Sequence, residues 1–337
     1  MSGNNVTYSL RPNKFVERHL FVDLLAILCN GFPVERFAYV SMGGPQLEDH
    51  RLIHQRLGLK CLISLESDET VYKRQLFNLR PSYIDCQCMA VTDFVNDFDI
   101  FQEKYSEQEK IIWFDYASPR ERRNQIIEYE TVLSKLEDGD IFKITMNANP
   151  TTLGERRKDE TPEEVQAIRR DALLLQLDGL VPSVLDSNKV TKNGLPIILA
   201  EAIRLASIRA LQTRHKFTAI PLGLFTYQDG PHQMLTITVR VTKNAEVDSI
   251  RDRLINGGWK EYLPPKNSWQ EITGISVPNL SAKERLHLEQ ILFGEAHEII
   301  HMQLPFRLDS HEKTSLTMLE EYARHYRRYP SYFQVIL

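Results

Sequence analysis

The stretch Phe37–Arg51, FAYVSMGGPQLEDHR, joins an apolar run to an acidic, helix-like segment through two glycines and a proline. Its first residues, 37–41, predict a buried strand, and residues 47–57 predict the helix that follows. A turn without side-chain bulk is typical of nucleotide-binding sites, because a cofactor lies across the carboxyl edge of a parallel sheet. The turn does not follow the pattern G-x-G-x-x-G. It therefore predicts the first βα unit of an α/β sheet, with a variant cofactor turn.

Composition limits the classes of protein that fit this sequence. The chain has 337 residues, a net charge of −4 and a pI of about 6.2. No global basic field draws such a chain onto nucleic acid, so a nucleic-acid partner is possible but not favoured. No run of about 18 apolar residues and no signal-like N-terminus occurs, which predicts a cytoplasmic protein without a membrane span. The four cysteines form no C-x-x-C pair and predict buried, reduced thiols.

Strand-like and helix-like segments alternate on both sides of the opening stretch. A helix is predicted at 15–28, before it. The strands predicted after it are 59–66, 83–90, 111–116 and 140–148, with helices at 68–79 and 123–136 and a short polar, acidic segment after the third strand. The strand interiors are short apolar runs, which suit parallel strands buried on both faces. The order therefore predicts βα units and a doubly wound sheet.

The pattern changes after residue 148. Residues 149–216 predict a helical insertion, in which the apolar segment 195–212 packs on the sheet. Two strand-like runs follow, 217–227 and 233–242, and the sequence Asp-Gly-Pro between them predicts an antiparallel hairpin. The last 90 or so residues are mainly helical, and a capping box at Ser281 opens one of these helices.

Five βα-type strands followed by an antiparallel hairpin resemble the class I S-adenosylmethionine-dependent methyltransferases, whose sheet ends with a reversed strand beside the fifth. The resemblance covers residues 37–148 and 217–242. It implies an α/β fold with a doubly wound, mostly parallel seven-stranded sheet, S-adenosylmethionine as the cofactor, and methyl transfer to an acceptor. The implied domains are an N-terminal helical segment (1–36), a methyltransferase-like domain (37–242) and a mainly helical C-terminal region (243–337).

The first turn carries the cofactor in this resemblance. Gly43 and Gly44 supply a backbone without bulk after the first strand. Ser41 stands where the family usually has an acid, so it can hydrogen-bond the amino acid end of the cofactor but cannot form an ion pair with its ammonium group. Pro45 stiffens the turn and removes one donor. The alternative is an ordinary structural turn.

Two further acids follow the second and third strands. Glu66 lies about 20 residues past the glycines, the spacing at which a carboxylate accepts hydrogen bonds from both ribose hydroxyls. Asp93 matches the family position that contacts the adenine amino group. The alternatives are a solvated carboxylate for Glu66, since Asp68 is the predicted helix cap, and a loop acid for Asp93.

The sequence IIWFDYASPR at the fourth strand resembles the family's fourth motif. The resemblance implies that this strand tip faces the methyl group, which makes Asp115 and Tyr116 the predicted catalytic residues. An acid there can take a proton, orient a substrate or bind a metal. The alternative is an ordinary turn residue at the strand end. The Asn/Asp-Pro-Pro-Tyr/Phe form of the motif is not matched, which argues against methylation of nucleic-acid bases.

Three residues are predicted to contact the acceptor substrate. Asn147 follows the fifth strand at the same edge of the sheet. Arg11 and Lys14 lie at the start of the N-terminal helix, which in many methyltransferases folds over the cofactor. Their cations would pair with the cofactor carboxylate or with an acidic acceptor. The alternative is a solvated helix start.

Two other functions compete with this prediction. If Ser41 and Pro45 have ended catalysis, the fold is a scaffold that docks a protein partner or a second subunit through the Arg/Tyr-rich tail, residues 320–333. The run HEIIH fits the zinc motif H-E-x-x-H through His297, Glu298 and His301, but no third ligand is assignable. A zinc hydrolase is the third alternative.

Overall fold

A computed structural model describes residues 11–78, 83–182, 184–266, 268–292 and 304–330. The chain forms two compact units. One comprises Leu24–Thr226 and His232–Thr273; the other comprises Met1–Asp23, Tyr227–Pro231 and Gly274–Leu337. The boundaries of these units differ from those of the predicted domains 1–36, 37–242 and 243–337. The predicted domain division stays a prediction.

The central element is a mixed eight-stranded sheet in the order β3-β2-β1-β4-β5-β7-β6-β8. Its strands are β1 (Phe37–Met42), β2 (Cys61–Glu66), β3 (Ile84–Cys88), β4 (Glu109–Asp115), β5 (Ile141–Asn147), β6 (Phe217–Asp229), β7 (His232–Lys243) and β8 (Thr273–Ile275). Strands β1 to β5 pair in parallel, and β7 lies antiparallel beside β5. The predicted fold is confirmed, with one addition: β8 has only three residues, too few to leave a sequence pattern.

Helices connect the strands as the βα pattern predicted. They are α1 (Pro12–Cys29), α2 (Glu48–Leu57), α3 (Glu69–Asn78), α4 (Val91–Asn96), α5 (Phe98–Lys104), α6 (Arg122–Leu133), α7 (Pro162–Gln176), α8 (Gly194–Leu211), α9 (Val247–Leu254), α10 (Ala282–Leu292) and α11 (Glu312–His325). The polar, acidic segment after the third strand is two short helices, α4 and α5. Phe94 and Phe98 of these helices are buried, so this acidic segment contributes to the core.

One face of the sheet is apolar. Residues that pair directly across neighbouring strands lie on the same face. The central row of this face consists of Ile63, Val40, Ile112, Phe142 and Val239, each paired with the next. All are buried, and the same hydrophobic core includes residues of α4, α6 and α8. This face accounts for the apolar character of the predicted helix 195–212.

The opposite face carries a buried polar row. Its members, each paired with the next, are Ser64, Ser41, Trp113, Lys143 and Thr238. All are buried. The Nζ atom of Lys143 lies 3.7 Å from the centroid of the Trp113 ring, a cation–π contact that helps to accommodate the buried ammonium group. The next row towards the carboxyl ends of the strands contains the predicted site.

Candidate active site

Glu66, Gly43 and Asp115 lie side by side at the carboxyl ends of β2, β1 and β4. Met42 pairs with Leu65, so Gly43, the next residue, is level with Glu66. Ser41 pairs with Trp113, which places Gly43 level with Asp115 as well. Because side chains alternate along a strand, the two carboxylates belong to the face of the polar row. The structure thus brings together the predicted residues of the first, second and fourth strands.

The turn after β1 is closely packed and is held by α3. A Cβ atom added at Gly43 would overlap the hydroxyl oxygen of Ser64 and approach Leu47 Cδ2 to 2.9 Å. Gln75, a fully buried residue of α3, donates its amide protons to the carbonyl oxygens of Gly43 and of Gly44, the latter at 3.2 Å. Gln75 was not predicted from the sequence, where it is one polar residue in an ordinary amphipathic helix.

Ser41 lies beneath this turn and contacts a buried histidine. Its Oγ is 3.4 Å from His50 Nε2, and that nitrogen is 2.9 Å from the carbonyl oxygen of Ile63. A ring nitrogen that bonds a carbonyl must donate, so the proton of the neutral ring is on Nε2. Burial lowers the pKa of His50, which keeps the ring neutral. The predicted contact between Ser41 and the cofactor stays a prediction.

Glu66 is half-buried at the end of β2 and does not cap a helix. Its Oε1 accepts a hydrogen bond from the backbone N–H of Asp68 at 2.9 Å. The cap of α3 is Asp68, whose Oδ1 accepts from the backbone N–H groups of Thr70 and Val71 at 2.8 and 3.0 Å. Burial raises the pKa of Glu66. The Glu66 carboxylate therefore remains at the sheet edge, where a ribose diol would meet it.

Asp93 is exposed in the first turn of α4, directly after the carboxyl end of β3. Its neighbour Thr92 donates from Oγ1 to Oε1 of Glu128 at 2.6 Å. Glu128 belongs to α6, so this bond ties the start of α4 to α6. The predicted contact of Asp93 with adenine stays a prediction.

The structure places Tyr116 apart from Asp115, and its predicted catalytic role stays a prediction. Tyr116 belongs to the hydrophobic core of the apolar face, with Phe114. Its hydroxyl donates to Oε2 of Glu128 at 2.5 Å. Burial, together with the carboxylate of Glu128, raises the pKa of Tyr116 well above its usual value. Asp115 and Tyr116 are consecutive residues at the end of a strand, where side chains alternate between the two faces of the sheet.

Asn147 is buried at the end of β5, where it forms hydrogen bonds within the protein. Its Oδ1 accepts from the backbone N–H of Asn149 at 3.0 Å, and its carbonyl oxygen accepts from Nε of Arg122 at 2.8 Å. With only 2% of its surface exposed, Asn147 offers little area to an acceptor. Its side chain stabilises the exit of β5, and its predicted substrate contact stays a prediction.

Arg122 is a fully buried residue of α6 that connects four segments around the strand tips. Besides Asn147, its guanidinium donates to the carbonyl oxygen of Pro119 at 3.0 Å, to Gln176 Oε1 at 3.0 Å and to Thr152 Oγ1 at 2.7 Å. Burial lowers its pKa to about 10, so it stays cationic at neutral pH. Gln176 ends α7, so Arg122 fixes the insertion beside the exits of β4 and β5. In the sequence, Arg122 is one arginine in a charged run, and no local pattern distinguishes it.

Arg11 and Lys14 lie in the other compact unit. The helix α1 begins at Pro12, and its first N–H groups are already bonded to a carboxylate. Asp229 accepts from the backbone N–H of Asn13 at 3.2 Å and from that of Lys14 at 2.8 Å. Arg11, Asn13 and Asp229 line a polar cleft of about 300 Å³. The anion at the start of α1 is thus supplied by the protein, and the predicted contacts of Arg11 and Lys14 stay predictions.

The tail contributes to internal packing. Tyr322 and Tyr329 are buried; the hydroxyl of Tyr322 donates to Glu289 Oε1 at 3.0 Å, and that of Tyr329 donates to the carbonyl oxygen of Pro278 at 2.8 Å. The end of the tail, from residue 331, lies outside the described residues. These contacts explain part of the aromatic pattern, and they give no support to a protein or nucleic-acid partner.

The run HEIIH, with His297, Glu298 and His301, lies outside the described residues. Within the described ranges, no group of three or more His, Cys, Asp or Glu side chains is arranged to bind a metal ion. None of the helices in those ranges combines the length and apolar character that crossing a bilayer requires.

The sheet order, with the reversed strand beside the fifth and the glycine turn after the first, is that of a class I methyltransferase. Residues 6–337 match the family model described as "Putative O-methyltransferase", and the chain belongs to that family. The predicted methyltransferase activity is thereby confirmed, and a zinc hydrolase has no support.

Several solved structures are similar to this chain at low sequence identity. The plantazolicin methyltransferase BpumL, in complex with a triazolic desmethylPZN analog and SAH, is 12% identical over 69% of this chain and 88% of its own, with a TM-score of 0.38. The N-methyltransferase NodS from Bradyrhizobium japonicum WM9 is 12% identical over 68% and 97%, with a TM-score of 0.37. Trm1 from Pyrococcus horikoshii with S-adenosyl-L-methionine is 12% identical over 70% and 57%, with a TM-score of 0.37. Scores this low support no transfer of a ligand or of a residue's role. No curated protein matches the sequence.

Proposed function

We propose that the chain is an S-adenosylmethionine-dependent O-methyltransferase whose cofactor lies over Gly43, Gly44 and Glu66. The observation that carries the proposal is the placement of Glu66, Gly43 and Asp115 in one row at the carboxyl edge of the sheet. A cofactor crossing this edge needs a backbone without bulk between two polar strand ends, and Gly43 supplies it. A methyltransferase also requires an acceptor substrate, which is not identified.

The residues at the edge have distinct roles in this proposal. Glu66 accepts hydrogen bonds from the vicinal hydroxyls of the ribose, and Asp93 accepts one from the adenine amino group. When bound, S-adenosylmethionine would supply an electrophilic methyl group, and the sulfur would leave with the electron pair of the broken carbon–sulfur bond as the acceptor oxygen gains the methyl group. Asp115 takes the proton that the acceptor hydroxyl loses. Alignment by these groups, rather than covalent catalysis, provides most of the rate enhancement.

The variant Glu66→Gln tests cofactor binding. We expect it to weaken binding of S-adenosylhomocysteine (SAH) by about 10- to 100-fold, because charge-assisted hydrogen bonds to the ribose are replaced by weaker ones. Titration calorimetry gives the dissociation constants. The matched control is Glu69→Gln, an exposed residue of α3 paired with Lys73 on the surface. Equal affinities of wild type and Glu66→Gln would contradict the assignment.

The pH dependence of binding provides a second signature of Glu66. The ribose hydroxyls bond the ionised carboxylate, and burial raises the pKa of this group in the free protein. SAH affinity should therefore fall as the pH drops through that raised pKa, and the Glu66→Gln variant should lose this part of the dependence. Parallel pH profiles of the two proteins would contradict the prediction.

The variant Asp115→Asn separates catalysis from cofactor binding. We expect SAH affinity to change by no more than about twofold, while methyl transfer falls by about 10²- to 10⁴-fold because no base accepts the acceptor proton. Transfer of tritium-labelled methyl groups into acceptors of a cell extract gives the rate. Asp138→Asn, at the opposite edge of the sheet beside Lys243, is the control. A variant as active as wild type would remove Asp115 from the mechanism.

A further inference from the structure

One carboxylate of α6 receives hydrogen bonds from two segments near the proposed adenine site. Glu128 Oε2 accepts from the hydroxyl of Tyr116 at 2.5 Å, and Oε1 accepts from that of Thr92 at 2.6 Å. Tyr116 directly follows β4, and Thr92 is in the first turn of α4. Glu128 therefore connects the end of β4, the start of α4 and the middle of α6 through one side chain.

The first turn of α4 depends on this bond more than a longer helix would. The helix has only six residues, so it forms few internal hydrogen bonds and relies on tertiary contacts. Ala90 occupies its N-cap position and offers no side-chain cap. Phe94 and Val95 anchor the second half of α4 in the core, and Val91 packs against the same core from the first turn. Thr92 and Asp93 are exposed, and the side chain of Thr92 is bonded to Glu128. Asp93 is the residue next to Thr92 in that turn.

We infer that Glu128 is a positioning residue that sets the adenine selectivity of the cofactor site, because it fixes the turn of α4 that carries Asp93. The inference rests on the proposed function. A carboxylate distinguishes adenine from hypoxanthine by accepting from the 6-amino group, which hypoxanthine replaces with a carbonyl oxygen. Such discrimination requires the carboxylate to be held in place, since a mobile Asp93 would turn away from the carbonyl oxygen and lose selectivity.

The test compares binding of SAH with binding of S-inosylhomocysteine, which carries hypoxanthine, by calorimetry. Wild type should prefer SAH by about tenfold or more, the value of one hydrogen bond to a charged group. In Glu128→Ala, this preference should shrink by about threefold to fivefold. Thr92→Val changes an exposed residue and leaves the Tyr116–Glu128 bond intact. It should also reduce the preference for SAH, and it tests the inference if Glu128→Ala does not fold.

The matched control is Glu130→Ala. Glu130 is two residues further along α6 and forms an ion pair with Arg209 of α8 at 2.6 Å, so its loss perturbs the helix without touching α4. Its selectivity ratio should equal that of wild type. A purely structural role of Glu128 would weaken both ligands equally, and that result would overturn the inference.

The outcomes also separate this inference from the proposed function. Binding of SAH by wild type with an unchanged ratio in Glu128→Ala and Thr92→Val defeats the inference alone. Failure of folded wild type to bind either ligand defeats the proposed function, and the inference with it.

Discussion

Replacement of Arg122 by methionine should destabilise the sheet-containing unit by about 3–5 kcal/mol. The change removes the guanidinium donor of the Asn147 carbonyl oxygen, and a buried, unpaired acceptor costs about 1–3 kcal/mol. The carbonyl oxygen of Pro119 loses one of its two donors and keeps the other, Gln176 Nε2. The change also removes the charged hydrogen bonds to Gln176 Oε1 and Thr152 Oγ1, which weakens the attachment of the insertion to the exits of β4 and β5. Urea unfolding followed by tryptophan fluorescence measures the effect.

Arg123→Met is the control for this prediction. Arg123 is the next residue of α6, is exposed, and donates to the carbonyl oxygen of Asp178. Its replacement should cost less than about 1 kcal/mol. Arg122→Lys should fall between the two, because lysine keeps the charge but not the planar array of donors. Equal stabilities of the Arg122→Met and Arg123→Met variants would show that the buried guanidinium does not hold these segments together.

Replacement of Gly43 by alanine should have the largest effect on cofactor binding. The new methyl group would overlap Ser64 Oγ and press on Leu47, which is held with a φ of 52°. Overpacking of this kind costs about 1–3 kcal/mol of stability. Because the turn must move away from Ser64, it also moves into the space that the proposed cofactor occupies. We expect SAH affinity to fall by more than about 50-fold, equivalent to about 2.3 kcal/mol.

A second change tests the cause of that loss. Ser64→Ala removes the hydroxyl that the new methyl group would overlap, so Gly43→Ala should be partly rescued in the Ser64→Ala background. A double-mutant cycle on stability and on SAH affinity should show favourable coupling between the two positions. Additive effects would mean that the overlap at Ser64 is not the reason for the loss.

Much of the fold was predictable from local sequence. Short apolar runs separated by amphipathic helices placed the five parallel strands within a few residues; the predicted strand 140–148, for example, is β5, Ile141–Asn147. The Asp-Gly-Pro turn placed the hairpin. Two elements were not predicted because they are too short to show a periodic pattern of apolar residues. They are β8, with three residues, and α4, with six.

In the candidate site, only the residues at strand ends were predictable from the sequence. Glu66, Gly43 and Asp115 follow apolar runs directly, and parallel strands carry their carboxyl ends to one edge. The packing of Tyr116 in the core, apart from Asp115, was not predicted, although side chains alternate between the two faces along a strand.

The supporting residues Gln75, Arg122 and Glu128 could not be found from the sequence. Their partners are remote in the chain: Gln75 bonds Gly43 across 32 positions, and Arg122 bonds Gln176 across 54. Contacts of this kind depend on how each helix is rotated against the sheet. Local patterns do not determine that rotation.

Titration of the wild-type chain with SAH tests the central claim most directly. The row formed by Glu66, Gly43 and Asp115 predicts saturable binding of one SAH per chain, with a dissociation constant in roughly the micromolar range, reversed by S-adenosylmethionine. Absence of binding at millimolar SAH, by a chain whose circular dichroism shows it to be folded, would contradict the claim. That result would favour the alternative in which the fold is retained as a scaffold.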